Sequence, residues 1–498
     1  MPATHIFLRR LAAPGHPAIA LGIATALLLF QACAAERPRL APPKSAPVPA
    51  PAAAHQGDVA KARPKGLVLL DAAALAPGAP ANPQKSVTVA SGGPEPVGTA
   101  ASAGAPLPPK VPSGPPDWHD DGTEASLDAA IAQSLAYYRT LPPDQAIQIG
   151  SLSYTATELA QSLELFLALR LTTRDPAEFA EQVRRNFAVF ESTAEQGDNL
   201  FTGYYEPHIR GSVTQTAEFS APVYARPTDL VEVALEDFGK DLPRRKVMGR
   251  VQEGRLVPYY SRDEIEQGGV LEGRAQPIVY VNPVDLFFLQ IQGSGQVELP
   301  DGRTISVGYE ASNGQPYRAL GAEMIRRNLI ALEDVSLFSL KHYLAEHQDL
   351  VPALLGTNPS YVFFRTRDDG RAPVGSLQVP LTPGRSLAAD RLLLPPGVLA
   401  YVMTTAPVPQ QSGSLRDVER FMLIQDTGGA IRGHGRGDLF WGEGPDAEWI
   451  AGRARQPGRL FILVARKGAL PPPDSAPKPA LPVAQPKALG RPLQARMP

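Results

Sequence analysis

Cysteine is almost absent from this chain, since Cys33 is the only one among 498 residues. No intrachain disulfide can form, and a zinc site built on cysteines is excluded. Neither sign of charge dominates, because 48 Lys and Arg stand against 50 Asp and Glu. The basic excess typical of nucleic-acid-binding proteins is therefore missing at the level of the whole chain, and we expect no nucleic-acid partner.

The N-terminal apolar run, residues 18–30, is too short for a membrane span. Its length is that of the apolar region of an export signal, and Arg9 and Arg10 supply the positive charge that precedes such a region. The sequence therefore predicts that residues 1–32 are a signal peptide.

Cys33 stands directly behind this run, in the triplet Q-A-C. The triplet resembles the cleavage box of bacterial lipoproteins, although Phe30 and Gln31 differ from the residues usual there. We predict a lipid anchor on Cys33, which would hold the mature protein to a membrane without spanning it. The alternative is an ordinary signal peptide cleaved near Ala32 or Ala35.

Proline is abundant instead, and it is concentrated at the two ends of the chain. Residues 33–118 are rich in Pro, Ala and Gly and show no sustained apolar period, which predicts a disordered tether. Residues 469–498 have the same character and are predicted to be a disordered tail. The folded part is expected over 119–468.

The folded part begins with patterns of helical period, which predict helices over 123–139, 155–169 and 175–190. After residue 202 the pattern changes to short apolar runs and turns, which predict strands. One of these predicted strands is 286–292. The P-D-G-R turn at 300–303 predicts a hairpin. The expected fold class is mainly β with N-terminal helices, and the many short strands favour barrels.

A glycine-rich loop lies between two aspartates, Asp426 and Asp438, in the segment Q-D-T-G-G-A-I-R-G-H-G-R-G-D-L-F-W-G. Phe440 and Trp441 follow the second aspartate. An apolar setting raises the pKa of a carboxyl group and keeps it protonated near neutral pH, as a general acid requires. The alternative interpretation is two ordinary turns between strands.

Other motifs do not carry chemistry. His342 and His347 are five residues apart and leave one helical face, so they do not form the histidine pair of a zinc peptidase. The G-S-G at 293–295 lacks the flanks of a nucleophile elbow and predicts a tight turn. We expect neither a metal nor a cofactor.

A third aspartate, Asp390, also lies at a strand–loop border. It joins Asp426 and Asp438 as a candidate site residue.

Several long motifs resemble the membrane-bound lytic transglycosylase A family, and the likeness extends in order over 119–468. They are T-G-Y-Y-E-P at 202–207, Q-I-Q-G-S-G at 290–295, N-P-S-Y-V-F-F at 358–364, V-P-L-T-P at 379–383, R-S-L-A-A-D at 385–390, Q-D-T-G-G-A-I-R-G at 425–433 and G-D-L-F-W-G at 437–442. The last three resemble the family's three-aspartate domain.

The resemblance implies two β domains around a deep groove. A double-psi β-barrel, expected over 119–206 and 376–468 with the N-terminal helices, would carry the aspartates. A second β-barrel, expected over 207–375, would be inserted into it.

The resemblance also implies an activity. The family cleaves the β-1,4 bond between N-acetylmuramic acid and N-acetylglucosamine in peptidoglycan without water, and leaves a 1,6-anhydromuramoyl end. Its acid/base aspartate falls on Asp438, and its two other aspartates fall on Asp426 and Asp390. The partners it implies are glycan strands and complexes with other cell-wall enzymes. A monomer on the periplasmic face of the outer membrane of a Gram-negative bacterium is expected.

Five further residues are candidates for substrate binding: Tyr204, Tyr205, Gln292, Gly429 and Trp441. Aromatic faces and amides suit glycans. The alternative role of these residues is core packing.

Two other functions remain open at this point. Glu443, Asp446 and Glu448 lie near Asp438 in sequence, and any of them could supply the second carboxylate of a glycoside hydrolase. A non-catalytic peptidoglycan-binding lipoprotein is the other alternative.

Overall fold

The computed structural model describes residues 66–70, 75, 114–195, 197–239, 241–243, 245–367 and 372–471, all within one compact unit, Arg63–Pro498. The predicted signal peptide, Cys33 and most of the predicted tether and tail lie outside the described residues. No helix in the described ranges has the length and apolar character needed to cross a membrane.

The strands of the described residues are, in chain order, β1 (Gly66–Leu69), β2 (Ala146–Ile149), β3 (Leu152–Thr155), β4 (Phe187–Thr193), β5 (Asn199–Glu206), β6 (His208–Ser212), β7 (Ala221–Tyr224), β8 (Val231–Ala234), β9 (Lys246–Gln252), β10 (Arg255–Pro258), β11 (Pro277–Val281), β12 (Ser294–Glu298), β13 (Thr304–Ser312), β14 (Val362–Thr366), β15 (Ser386–Ala388), β16 (Leu399–Pro407), β17 (Leu415–Asp426), β18 (Arg436–Glu443) and β19 (Arg455–Ala465). The α-helices of the same ranges are α1 (Glu124–Tyr138), α2 (Ala156–Thr172), α3 (Pro176–Asn186), α4 (Arg262–Glu266), α5 (Pro283–Gln292), α6 (Leu320–Arg326), α7 (Leu337–Glu346), α8 (Val351–Leu355) and α9 (Gly444–Arg453).

The first sheet closes into a barrel. Its strand order is β1-β4-β19-β16-β17-β15-β18-β5, and β5 pairs back onto β19, so six strands form a closed ring while β4 and β1 extend from it. Two pairings in the ring, β15 with β17 and β18 with β5, are parallel, and the others are antiparallel. This is the double-psi β-barrel. It is assembled from chain segments on both sides of the insert.

Helices α1 and α2 cover this barrel. Each begins at a threonine whose side chain accepts a backbone N–H of the first turn, and at Thr155 the capping box with Glu158 is complete. Their apolar residues join the interior of the barrel in one continuous core, in which Phe166 lies 4.7 Å from Phe421 between ring centroids.

The insert forms a second barrel. Its strand order is β14-β13-β12-β6-β11-β7, and a bridge between Ala225 and Phe364 joins the two outer strands. A smaller sheet, β10-β9-β8, and helices α5 to α8 belong to the same part of the chain. The predicted fold class, mainly β with N-terminal helices and two barrels, is confirmed.

Two predicted elements were wrong. Residues 286–292 belong to helix α5, because Asn282 caps its N-terminus, Pro283 occupies the first turn and Gly293 ends it with φ 81°. A short apolar run alone does not distinguish a buried helix from a strand. The helix predicted over 175–190 ends at Asn186, and β4 follows at once, since residues 187–190 are buried in the sheet.

Part of the predicted tether is ordered. Residues 66–69 form β1, which pairs antiparallel with β4, and Leu75 and Trp118 are buried in the core of the first barrel. The prediction of disorder was therefore wrong for these residues, where apolar side chains interrupt the Pro- and Ala-rich composition.

The two barrels are tied together where the chain crosses between them. Glu206 ends β5 and Arg367 follows β14, and their side chains form a buried ion pair. Beside them, Glu443 of β18 accepts hydrogen bonds from His208 (3.0 Å) and Gln296 (2.8 Å) of the insert. These contacts fix one barrel against the other at the base of the insert.

Strand β15 is held by a buried arginine at its start. Arg385 is 1 % exposed, and its guanidinium donates to both carboxylate oxygens of Asp120 at 2.8 Å. It also donates to the backbone carbonyls of Phe421 and Thr123. A buried charge of this kind is tolerated only when its donors are satisfied.

We therefore expect Asp120→Ala to lower the free energy of unfolding by about 3 kcal/mol, because it leaves Arg385 buried without its carboxylate. The measurement is urea unfolding followed by tryptophan fluorescence. The control is Asp301→Ala, which removes an ion pair between two exposed side chains, Asp301 and Arg303, and should leave the urea midpoint unchanged. Equal midpoints for both variants would contradict the role given to Arg385.

Candidate active site

The short strand β15 brings two aspartates together. It lies between β17 and β18, and its residue Ala388 is paired with Asp426 on one side and with Asp438 on the other. Neighbouring strands are about 4.8 Å apart, so the two carboxyl groups lie in one row on one face of the sheet. The negative charge of Asp426 raises the pKa of Asp438. The sequence placed them only at the two ends of one loop.

Asp438 lies over a small apolar cluster, formed by Tyr204, Leu381, Ala388, Ile431 and Phe440. Its carboxyl is half-buried, and the atom Oδ1 is fully buried with no hydrogen-bond partner among the described residues. Burial raises the pKa of Asp438 to about 6, and the negative charge of Asp426 adds to the increase. A hydrogen bond from the Thr202 hydroxyl and the charge of Arg436 oppose it.

Asp426 ends β17 and is fully engaged. Its Oδ1 accepts the backbone N–H groups of Ser376 (2.9 Å) and Thr427 (2.8 Å), and its Oδ2 accepts the Tyr204 hydroxyl (3.0 Å). Burial raises the pKa of Asp426, while these three donors lower it. Asp426 thus holds both the start of the glycine loop and the ring of Tyr204.

Asp390 lies at the other end of the glycine loop. Its Oδ2 accepts the backbone N–H of Gly433 at 3.0 Å, and its Oδ1 accepts that of Leu392 at 3.1 Å. Gly433 has φ 88°, a conformation that favours glycine. The Asp390 side chain is 5 % exposed, so the loop is held at Gly433 by a buried carboxylate.

The adjacent tyrosines of β5 face opposite ways. Tyr204 packs on Phe440 at 5.2 Å between ring centroids, on the face that carries Asp438. Tyr205 donates its hydroxyl to Glu448 of α9 at 2.9 Å, and its backbone N–H donates to the Gln292 side chain at 3.0 Å. The structure therefore brings Tyr204 to the aspartates, while Tyr205 and Gln292 join the two barrels.

Trp441 and Gly429, two further candidates for substrate binding, lie in different places. Trp441 lies on the other face of β18 from Asp438 and Phe440, packed against Gly203 and within 5.6 Å of the guanidinium of Arg416. Gly429 is exposed and approaches Tyr317 of the insert, since a Cβ on it would lie 3.7 Å from that of Tyr317. The loop and the insert thus face each other at Gly429.

Thr202 and Arg436 were missed in the sequence. Thr202 is paired with Asp438 across β5 and β18, and Arg436 precedes Asp438 by two residues on the same strand face. The alternation R-G-D could have indicated Arg436, because residues two apart on a strand share a face. Thr202 is more than two hundred residues away in sequence, and only strand pairing reveals it.

No group of three or more His, Cys, Asp or Glu suited to a metal ion occurs in the described ranges. The chemistry that this arrangement can perform is proton transfer by a carboxyl group that titrates near neutral pH.

Comparisons with known proteins agree with this fold. The family models of the MltA specific insert domain and of the 3D domain match residues 200–365 and 385–464. The chain is 32% identical over 295 residues to the membrane-bound lytic murein transglycosylase A of Escherichia coli strain K12, covering 57% of this chain and 72% of that protein. The corresponding protein of Vibrio cholerae is 32% identical over 299 residues, with coverages of 59% and 72%.

A solved structure is also similar, that of a membrane-bound lytic murein transglycosylase from Agrobacterium tumefaciens. Its TM-score is 0.59 at 30% identity, and the match covers 70% of this chain and 94% of that one. The two barrels are thus those of a lytic murein transglycosylase. Within that class, the chain belongs to the membrane-bound lytic murein transglycosylase A family.

We expect Thr202→Val to raise the pKa of Asp438 above its value of about 6. The hydroxyl stabilises the ionised carboxylate, so its loss favours the protonated form. Carbon NMR of labelled aspartates measures the titration, with the resonance assigned through Asp438→Asn. Thr405→Val is the matched control, since its hydroxyl has no partner among the described residues, and it should not move the titration. A lowered pKa in Thr202→Val would refute this arrangement.

Proposed function

We propose that Asp438 is the single acid/base with which this lytic transglycosylase cleaves peptidoglycan. The bond is the β-1,4 linkage between N-acetylmuramic acid and N-acetylglucosamine, and the product carries a 1,6-anhydromuramoyl end. The observation that carries the proposal is the orphan Oδ1 of Asp438, in a carboxyl group whose pKa is raised to about 6. A general acid needs a carboxyl group with a raised pKa and an oxygen that no protein group occupies, and Asp438 has both within the described part of the chain.

In the first step, protonated Asp438 donates its proton to the glycosidic oxygen. The bond from that oxygen to C1 of the muramoyl sugar breaks, and the N-acetylglucosamine side leaves with a free hydroxyl group. Positive charge develops at C1. The Asp438 carboxylate that remains is then the base for the second step.

In the second step, the C6 hydroxyl of the same muramoyl sugar attacks C1, and Asp438 takes the proton from that hydroxyl. The acid is restored, and no water is consumed. Attack within one sugar ring gains the advantage of proximity, so the site needs no second carboxylate to activate a water molecule.

The other carboxylates near Asp438 in sequence are engaged elsewhere. Glu443 is bound by His208 and Gln296, and Glu448 is bound by Tyr205 and Lys341. Asp446 is exposed in the first turn of α9. This engagement favours the single-carboxylate reaction over hydrolysis.

Asp426 and Asp390 are positioning residues in this proposal. Asp426 fixes the Tyr204 hydroxyl and raises the pKa of Asp438, and Asp390 fixes the loop at Gly433.

Of the substrate-binding candidates, Tyr204 and Gly429 border the side of the barrel that carries Asp438 and are proposed to contact glycan. Tyr205, Gln292 and Trp441 are proposed to support the barrels.

The family places the protein in the cell envelope. We propose that lipid on Cys33 anchors a monomer to the periplasmic face of the outer membrane, where the glycan strands of the wall are its substrate. Complexes with other cell-wall enzymes are a further proposal from the resemblance.

We expect Asp438→Asn to fold normally and to release no anhydromuropeptides from purified sacculi, because an amide cannot donate and then recover the proton. Mass spectrometry of the soluble products is the measurement, since hydrolytic products are heavier by one water. Anhydromuropeptides from this variant would refute the assignment. Wild-type protein that binds sacculi and releases nothing would favour a non-catalytic lipoprotein.

We expect Asp426→Asn to retain activity and to move the high-pH limb of kcat/KM to lower pH. The charge of Asp426 raises the pKa of Asp438, so its removal lets Asp438 ionise at lower pH and lose its proton earlier as pH rises. The pH profile on soluble glycan strands measures this. A limb that moves to higher pH would contradict the electrostatic role of Asp426.

A further inference from the structure

Two arginines lie beside Asp438 on the same face of the sheet. Thr202 of β5 is paired with Asp438 of β18 on one side and with Arg455 of β19 on the other. Arg436 lies two residues before Asp438 on β18 and is electrostatically coupled to both Asp438 and Arg455. Both arginines thus share one patch of the barrel surface with the acid, Arg436 on its own strand and Arg455 two strands away.

Neither arginine has an ion-pair partner in the part of the chain that the structure describes. The Nε of Arg436 is buried without a hydrogen-bond partner, and its Nη2 lies 3.5 Å from the Thr202 hydroxyl, a long contact. Elsewhere in this barrel, Arg459 is paired with Glu191 and Arg420 with Asp121.

The arrangement is electrostatically unfavourable when nothing is bound. Burial lowers the pKa of Arg436, and the like charge of Arg455 lowers it further, while Asp438 only partly compensates. When Asp438 is protonated, as the acid step requires, this compensation disappears. An anion placed against the two guanidinium groups would relieve both the repulsion and the missing hydrogen bond.

We infer that Arg436 and Arg455 form a carboxylate-binding subsite that selects muramoyl-bearing glycan. The inference rests on the proposed function, in which peptidoglycan is the substrate. Muramic acid carries a lactyl group whose carboxyl is free in bare glycan and is joined to a stem peptide in intact wall, and the peptide supplies carboxylates of its own. A planar guanidinium binds a carboxylate through two parallel hydrogen bonds.

The alternative role of Arg436 is to adjust the acidity of Asp438. The two roles differ in what they change. Removing a cation that only lowers the pKa of Asp438 moves the high-pH limb of kcat/KM upward and leaves affinity intact. Removing a carboxylate contact raises the dissociation constant for substrates that carry carboxylates and spares neutral sugars.

The test compares three soluble probes: glycan strands with stem peptides, the same strands after an amidase has freed the lactyl carboxyl, and a neutral N-acetylglucosamine hexamer. Equilibrium binding is measured in the Asp438→Asn background with Arg436→Gln, Arg455→Gln and both together. We expect the double variant to lose about tenfold in affinity for at least one carboxylate-bearing probe, as for one charged hydrogen bond. Affinity for the neutral hexamer should stay within about twofold.

The three probes distinguish the sources of the carboxylate. Loss for intact strands alone identifies the stem peptide, and loss for amidase-treated strands alone identifies the lactyl group. Loss for both shows that either carboxylate is accepted. Unchanged affinities, or equal losses that include the neutral hexamer, would overturn the subsite.

The controls separate this inference from folding and from the proposed function. Arg303→Gln removes an exposed arginine on a turn of the insert and should leave all three affinities unchanged. Arg455 is exposed, so Arg455→Gln keeps the test decisive if Arg436→Gln fails to fold. Failure of the proposed function would show as turnover by Asp438→Asn, which is independent of the affinity comparison.

Discussion

The placement of β15 between β17 and β18 is the constraint on which the site depends. This strand has three residues, yet it sets the row in which Ala388 separates Asp426 from Asp438. The buried guanidinium of Arg385 holds its start by binding Asp120 and the carbonyl of Phe421 in β17. The N-terminal segment before α1 therefore helps to position the two carboxyl groups, although none of its described residues lies in the site.

Within that row, two identical side chains acquire different properties from their surroundings. Asp426 accepts three hydrogen bonds and is held as a fixed acceptor, whereas Asp438 keeps one oxygen without a partner over an apolar cluster. Burial raises the pKa of both. Three donors oppose the increase at Asp426, whereas at Asp438 the Thr202 hydroxyl and the charge of Arg436 oppose it and the charge of Asp426 adds to it. Different environments for paired carboxyl groups assign one to proton transfer and the other to support.

Local sequence predicts the parts of this site that are close in the chain. The spacing of Asp426 and Asp438 around the glycine loop, with Phe440 next to the acid, indicated a buried carboxyl group before any fold was known. It could not reveal Thr202, because the pairing of β5 with β18 joins segments separated by the whole insert. Nor could it tell Tyr204 from Tyr205, since the face of a strand depends on which neighbour is buried.

Two glycines near Asp438, Gly435 and Gly437, serve close packing. A Cβ at Gly435 would lie 2.3 Å from that of Ala194, and one at Gly437 would lie 2.9 Å from the ring of Phe201. Backbone at these positions therefore packs directly against β5 and the residue after β4, and the N–H of Gly433 is fixed by Asp390. A loop held in this way presents Asp438 in one position, which is what an acid needs if it must give and recover a proton within one reaction.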